Sequence, residues 1–340
     1  RASLQEWDLA SLFSQRVHLE RHFLLDDGSG WNALAQGIHA KHSRGRRRSD
    51  RLDAWSGRVP GSLAPVPSEL KPISPTALET FAKCPFRYFL GNILHVGEVE
   101  RPEDVVTIEP AAIGKIIHDI LEKFFAATGD RPDPAADWTA EEREQLRAIT
   151  QASFGEAERR GITGRSLTWR AEQARLLRDL ELLLDDEIKE RRTNGFRFAR
   201  AEASFGMDAT PGRPNVRPPA ILKLANGETL AFRGLADRVD VGPDGQLAIV
   251  DYKTGSPRTF EALKPGNLFD GGKFLQLPVY ALAFRDDSPK PVRATYWFIS
   301  ESAGFARKSI VLDDENYAAF GGIVNTLVET MRSGYFPAVP

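Results

Sequence analysis

The stretch from Phe196 to Gly255 constrains this chain most. Upstream of it, apolar residues recur at helical spacing. At Gly195 the texture changes, and FRFARAEASFG, Phe196 to Gly206, alternates apolar and polar residues as strands do. A Pro-rich loop, Pro211 to Pro219, leads into ILKLANGETLAFRGLADRVDV, where Asn226-Gly227 between alternating runs is a strong hairpin signal. The turn GPDG, Gly242 to Gly245, then reverses the chain into LAIVDYKTG. Strands joined by such short turns pair antiparallel, as a meander.

Helical patterns surround that meander. Residues 4–40 read as helical, with Leu9, Leu12, Phe13, Val17, Leu19, Phe23 and Leu24 at the apolar positions. His39 to Arg51, HAKHSRGRRRSDR, is either a solvated basic linker or a phosphate-contacting patch. Gly57 to Pro75 is too Pro-rich for regular helix and reads as a linker into the main domain. In SPTALETFAKCPFRYFLGNIL, Ser74 or Thr76 caps a helix, with Glu79 placed for a capping box from Thr76. AAIGKIIHDILEKFFAA forms a second helix with Ile113, Ile116, Ile117, Ile120, Leu121 and Phe124 as its buried stripe. Two charged amphipathic helices follow, over Ala140–Arg160 and Leu167–Arg192. After the meander come a helix over FLQLPVYALAF, a strand over Ala294–Ser300 and a closing helix over Asn316–Ser333. That order gives an α/β or α+β fold with a mixed sheet.

The bulk numbers exclude some classes. A net charge of −2 over 340 residues gives no global field for nucleic acid, so any polyanion site is a local patch. Apolar runs stay well short of a membrane span. The single cysteine, Cys84, excludes an internal disulfide and fits a reducing, cytoplasmic compartment. The chain opens on Arg1, as a segment of a longer polypeptide would. We read residues 1–72 as a helical N-terminal region with a basic, Pro-rich linker, and 73–340 as the main domain. That domain holds a helical insertion over about 135–194 and a core over about 196–300.

Within the meander, Asp251 and Lys253 are two apart, so both side chains leave one face of a strand while Tyr252 points into the opposite layer. A hairpin centred near Pro243-Asp244 brings Asp237 opposite the neighbourhood of Asp251. Two carboxylates held close repel unless a cation lies between them. Oxygen ligands with positions left for water suit Mg²⁺ or Mn²⁺, and an adjacent ammonium can polarise a water or steady developing phosphorane charge. The set fits hydrolysis of a phosphodiester; on its own, an Asp-x-Lys pair is also an ordinary surface ion pair.

G-L-A-D-R-V-D followed by I-V-D-Y-K-T-G resembles the core of the PD-(D/E)XK nucleases, specifically the RecB-like branch of the RecBCD, AddAB and AdnAB helicase–nucleases. SPTALETFAKCPFRYFL, GKIIHDILEKF, RAEASF and LQLPVYALA resemble further motifs of that branch, in the same order, across Ser74 to Pro340. The resemblance implies a restriction-endonuclease-like core: a mixed central β-sheet flanked by helices, with the helical N-terminal region and insertion added to it. It implies a metal site of Asp237, Asp251, the Tyr252 carbonyl, Glu202 and His118. It makes Lys253 the group that activates water, and Gln276 and Tyr280 the pair that positions the phosphate and the lysine. Left to their own helices and strands, His118 would pair with Glu122, Gln276 and Tyr280 would be a polar rim, and Glu202 would face outward from an edge strand. Arg191, Arg192, Arg197, Arg200, Lys264 and Lys273 are the basic residues expected to line DNA, with Asp240 structural and paired to a nearby arginine.

The resemblance also implies single-stranded or unwound DNA as substrate, a helicase subunit or fused helicase region as partner, and a place near the nucleoid. Many relatives hold an iron–sulfur cluster on four cysteines, the first at the position of Cys84. This chain supplies one thiolate of four, so Cys84 reads as a residual ligand position and a small buried residue. No Walker A motif is present to power a motor. Two rival readings are a non-catalytic DNA-binding scaffold within a helicase complex and a stand-alone or CRISPR-associated nuclease.

Overall fold

The computed structural model describes residues 57–338, apart from 62–65, 98–105, 130, 132, 134 and 211–215. The helix read over residues 4–40 and the basic run His39–Arg51 lie outside the described residues.

Helix α1 (Pro75–Lys83) begins where Ser74 accepts the Ala77 N–H and Pro75 opens the first turn, and α2 (Pro85–Tyr88) follows it and runs on into a short π turn over Phe89–Ile93. Glu79 does not close a capping box in α1; its carboxylate turns inward to another helix, as described below. Helix α3 (Pro110–Thr128) carries the expected apolar stripe, with Ile116, Ile117, Ile120, Leu121 and Phe124 all buried. Helix α4 (Ala140–Arg159) starts with a full capping box between Thr139 and Glu142. Helix α5 (Ser166–Asn194) stops at Gly195, whose φ of 70° only glycine adopts cheaply.

Strands β1 (Arg197–Phe205), β2 (Ala220–Lys223), β3 (Thr229–Phe232), β4 (Gly234–Val241) and β5 (Leu247–Lys253) fill the segment expected to be a meander, but β1 pairs with β4 rather than with β2. Helix α6 (Gln276–Ala283), strands β6 (Arg293–Phe298) and β7 (Arg307–Val311), and helix α7 (Asp314–Arg332) complete the described chain. The main sheet runs β1-β4-β5-β6-β7, with β2-β3 a separate hairpin at Asn226-Gly227. Within that main sheet, β5 and β6 alone among the described strands pair parallel, across the connection that contains α6. The sheet is therefore mixed and mostly antiparallel, flanked by seven α-helices among the described residues. It extends past residue 300, beyond the expected core, because β7 adds an edge strand. The sequence RKSIV leaves only Ile310 buried, so it shows little alternation to read.

Two apolar layers sandwich the sheet. On one face, Val239, Ile249, Ala294, Tyr296 and Phe298 pack with Leu78 and Phe81 of α1, Val279 and Tyr280 of α6, and Phe320 and Val324 of α7. On the other, Val250, Tyr252 and Trp297 pack with α3, α4 and α5. The C-terminal Phe336 stacks among Phe81, Tyr88 and Phe89, and its N–H donates to the Gly57 carbonyl at 2.7 Å. Among the described residues, no helix is long and apolar enough to cross a membrane.

Candidate active site

The β4–β5 hairpin closes at Gly242–Gly245, where the Gly242 N–H donates to the Gln246 carbonyl at 2.9 Å. Its register sets Arg238 opposite Val250, so the next pair outward is Asp237 and Asp251. Asp237 Oδ2 accepts the Tyr252 N–H at 2.7 Å, which fixes that carboxylate against the end of β5. Both acids are buried, at 9% and 3% exposure, unlike the charges of an ordinary surface ion pair.

A third carboxylate reaches them by an irregular backbone. The pairs Ala201–Arg238 and Ala203–Ala236 bracket Glu202 opposite Asp237. Glu202 has φ +46°, in the left-handed region that side chains other than glycine rarely adopt. Such a residue in mid-strand breaks the two-residue alternation, and strain of this kind persists where surroundings enforce it. From the other layer, His118 of α3 reaches the same point. Its Nδ1 lies 3.1 Å from Asp237 Oδ1 and its Nε2 lies 3.1 Å from the Tyr252 carbonyl oxygen. It does not pair with Glu122, because long-range acceptors take both ring nitrogens. Ligating atoms of His118, Glu202 and Asp237 all fall within 4.8 Å of one another.

Asp251 and Lys253 share one face, as the strand spacing requires. Lys253 Nζ contacts Asp251 Oδ2 and donates to Gln276 Oε1 at 2.9 Å, while Gln276 Nε2 lies 3.5 Å from the Tyr280 hydroxyl. The structure thus brings together His118, Glu202, Asp237, Asp251, Lys253, Gln276 and Tyr280. Electrostatics mark the crowding. Burial pushes the Asp251 carboxyl up and the Asp237 charge pushes it further; Lys253 opposes both, leaving it at about 6. Burial pulls His118 down, yet its hydrogen bond to Asp237 and the charges of Asp237 and Asp251 prevail and raise it to about 9. Tyr280 is raised well above its ordinary value, first by burial, and so remains a neutral hydroxyl.

The donor set suits a hard divalent cation: one imidazole nitrogen, carboxylate oxygens and a backbone carbonyl converge. Three carboxylates face the two cationic side chains His118 and Lys253, so added positive charge is favoured there.

Several expected DNA contacts lie elsewhere. Arg191 is 4% exposed and pairs with Glu187 beneath the Trp138 ring, so it belongs to the interior. Arg192 pairs with Asp137 at 3.0 Å. Arg197 lies opposite Val241 at the far end of β1, five residues from Glu202 and so about 16 Å along the strand. Arg200, opposite Val239, is exposed nearer the site, and exposed Lys273 pairs with Asp270 just before α6. Lys264 is also exposed, in the same loop. Asp240 pairs with Arg238 Nε at 2.6 Å, and Arg238 also reaches Glu187 at 2.9 Å, a structural role as expected. Cys84 joins α1 to α2, with its N–H donating to the Thr80 carbonyl at 2.9 Å. One residue beside the site escaped the sequence reading. Glu79 Oε1 accepts the N–H groups of Leu275 and Gln276, and the signal for it was the apolar Leu275 where α6 needs a cap.

A buried carboxylate pair, a lysine two residues on and a flanking mixed sheet define a class of protein that comparison with known families also finds. The sequence profile of the PD-(D/E)XK nuclease superfamily matches residues 72–340, and the chain belongs to that superfamily. Among curated proteins, it is 29% identical over 247 residues to an ATP-dependent helicase/deoxyribonuclease subunit of Moorella thermoacetica, covering 71% of this chain and 20% of that protein. The subunits of the same name from Thermoanaerobacter sp. (strain X514) and Pelotomaculum thermopropionicum are 26% and 27% identical over 232 and 224 residues. Those matches cover 64% and 61% of this chain. The chain thus spans about a fifth of the length of the curated relatives it matches.

Proposed function

We propose that this chain contains a metal-dependent deoxyribonuclease that hydrolyses phosphodiester bonds, mainly of single-stranded DNA, during processing of double-strand breaks. The observation that carries it is the convergence of His118, Glu202 and Asp237 within 4.8 Å, beside the Asp251–Lys253–Gln276 chain. Residues 73–340 form the nuclease domain, with the helices over about 135–194 as its insertion. The names of its relatives support a helicase partner or fused helicase region, and a DNA substrate of that kind would place the protein in the cytoplasm at the nucleoid.

Asp237, Glu202, His118 and the Tyr252 carbonyl would hold Mg²⁺ or Mn²⁺, with Asp251 completing the set. The cation would supply Lewis acidity, lowering the pKa of water and shielding phosphate charge. Lys253 shares a strand face with Asp251, and its ammonium orients the attacking water and steadies negative charge on the phosphorus oxygens. Gln276 holds that ammonium, and the neutral Tyr280 hydroxyl offers a further donor beside it. Water oxygen attacks phosphorus, the P–O3′ bond breaks, and the products are a 3′-hydroxyl and a 5′-phosphate. Arg200 and Lys273 supply phosphate contacts on the strand's approach.

The test is incubation with end-labelled single-stranded DNA in Mn²⁺, with EDTA as control. Labelled fragments bearing 5′-phosphates are expected only with the metal. Intact DNA across a range of Mn²⁺ and Mg²⁺, with DNA still bound, would favour the scaffold reading instead.

A further inference from the structure

Helix α6 has no cap of its own. Leu275 occupies the cap position, no side chain of the helix's own segment caps it, and the first turn carries no acid. A helix start leaves N–H groups without partners, and a buried start needs acceptors for them. Here the acceptor comes from another element. Glu79, on the inward side of α1, places Oε1 at 2.6 Å from the Leu275 N and 3.0 Å from the Gln276 N. Glu79 is only 7% exposed, and the nearest cation to its other oxygen is Lys83 Nζ at 3.9 Å.

A buried carboxylate is an expensive way to cap a helix, since a serine or aspartate at position 275 would serve from nearer by. What the long-range cap adds is a fixed relation between α1 and the first residue of α6. That residue is Gln276, whose Oε1 accepts from Lys253 Nζ at 2.9 Å. We propose that Glu79 is a positioning residue: by fixing the first turn of α6 it sets Gln276, and through Gln276 it sets the Lys253 ammonium for reaction. This rests on the reading of Lys253 as the group that orients the attacking water.

A double-mutant cycle tests it, with kcat and KM measured on labelled single-stranded DNA in saturating Mn²⁺ well below every variant's Tm. Glu79→Ala should lower kcat by about 10–100-fold with KM within about threefold, as displacement of a reacting group does. Glu79→Gln keeps an oxygen able to accept both N–H groups and should recover most of that loss. In a Gln276→Ala background, Glu79→Ala should add less than about threefold, because its route to Lys253 is already cut. Multiplying losses in the double variant, or a lower Tm with unchanged kcat, would overturn the proposal. Should Glu79→Ala not fold, the same cycle with Glu79→Gln decides, at a smaller effect in the wild-type background and none in Gln276→Ala. Hydrogen exchange at the Leu275 and Gln276 amides separates this from the activity itself. Wild-type protein inactive on DNA refutes the proposed function, whereas unprotected amides in wild type refute the Glu79 cap.

Discussion

Asp251→Asn should make this protein more stable and inactive at the same time. Asp251 is 3% exposed, and its carboxyl is raised from an ordinary value of 3.8 to about 6, by burial first and then by Asp237, against the pull of Lys253. Holding it ionised at pH 7.5 therefore opposes folding by about 3 kcal/mol, an order-of-magnitude conversion of that shift. Asparagine keeps the shape and removes the charge. The contact with Lys253 is already counted in that value, because the carboxyl stands at about 6 with Lys253 pulling it down, and Lys253 keeps its bond to Gln276 Oε1 in the variant. Asp251→Asn is therefore favoured by about 3 kcal/mol, or about 6–12 °C in Tm for a domain of this size.

The pH dependence follows from the sign of the shift. A raised carboxyl favours the folded state below its unfolded pKa, and that contribution is lost as pH rises through about 6. The advantage of Asp251→Asn should be absent at pH 4, grow through pH 6 and be complete by pH 7.5. Thermal melts in EDTA across that range measure it, beside turnover in Mn²⁺, which should fall at least about 10³-fold. A Tm for Asp251→Asn equal to or below wild type at pH 7.5 would refute the reasoning. It would make Asp251–Lys253 a stabilising ion pair rather than part of a strained site.

Lys253→Met should leave DNA binding in Ca²⁺ intact and lower turnover by at least about 10²-fold; parallel losses of both would mark Lys253 as a phosphate anchor. In EDTA, the His118 ring should titrate near 9 by NMR, and the stability it contributes should be full below about 6.5 and lost as pH climbs through about 9. His118→Gln should remove that fall in Tm. Arg191→Ala should lower Tm by the loss of a buried partner for Glu187, without reducing the salt dependence of DNA binding. Arg200→Ala and Lys273→Ala should each shrink that salt slope instead. Cys84→Ser should leave turnover nearly unchanged, because Phe81, Tyr88 and Phe336 still anchor α1 and α2, and the purified chain should carry no stoichiometric iron and sulfide.

The hairpin half of the site was legible in the sequence because local rules determine it. One turn and a two-residue period suffice to set Asp237 against Asp251 and to put Lys253 on the same face. His118 and Glu202 were reached only through resemblance, since neither helix spacing nor strand alternation points a residue at a partner over a hundred positions away. Glu202 shows the limit most plainly: it joins the site through a left-handed backbone that alternation cannot encode. Arg191 and Glu79 failed for a related reason. Each was assigned by its neighbours in sequence, a basic cluster and a capping box, while tertiary packing turned Arg191 under Trp138 and Glu79 onto α6.

Strand β4 shows why buried charge alone does not locate a site. Asp237, Arg238 and Asp240 are all buried, within four residues of one strand. Arg238 meets both Asp240 and Glu187 on the helical-insertion side, with its guanidinium over the Phe125 ring, so opposite charges are matched at short range. Arg238 is accordingly held charged, far above any accessible pH. Asp237 instead meets Glu202 and stands opposite Asp251, with His118 as its nearest cation, and its charge helps raise Asp251 to about 6 and His118 to about 9. A matched cluster fixes the packing of helices on a sheet, whereas an unmatched one lowers stability and persists only where something else selects it. The excess of carboxylate over cation at Asp237 is the charge imbalance that the proposed cation site would require, and it lies beside the lysine that phosphodiester hydrolysis would use.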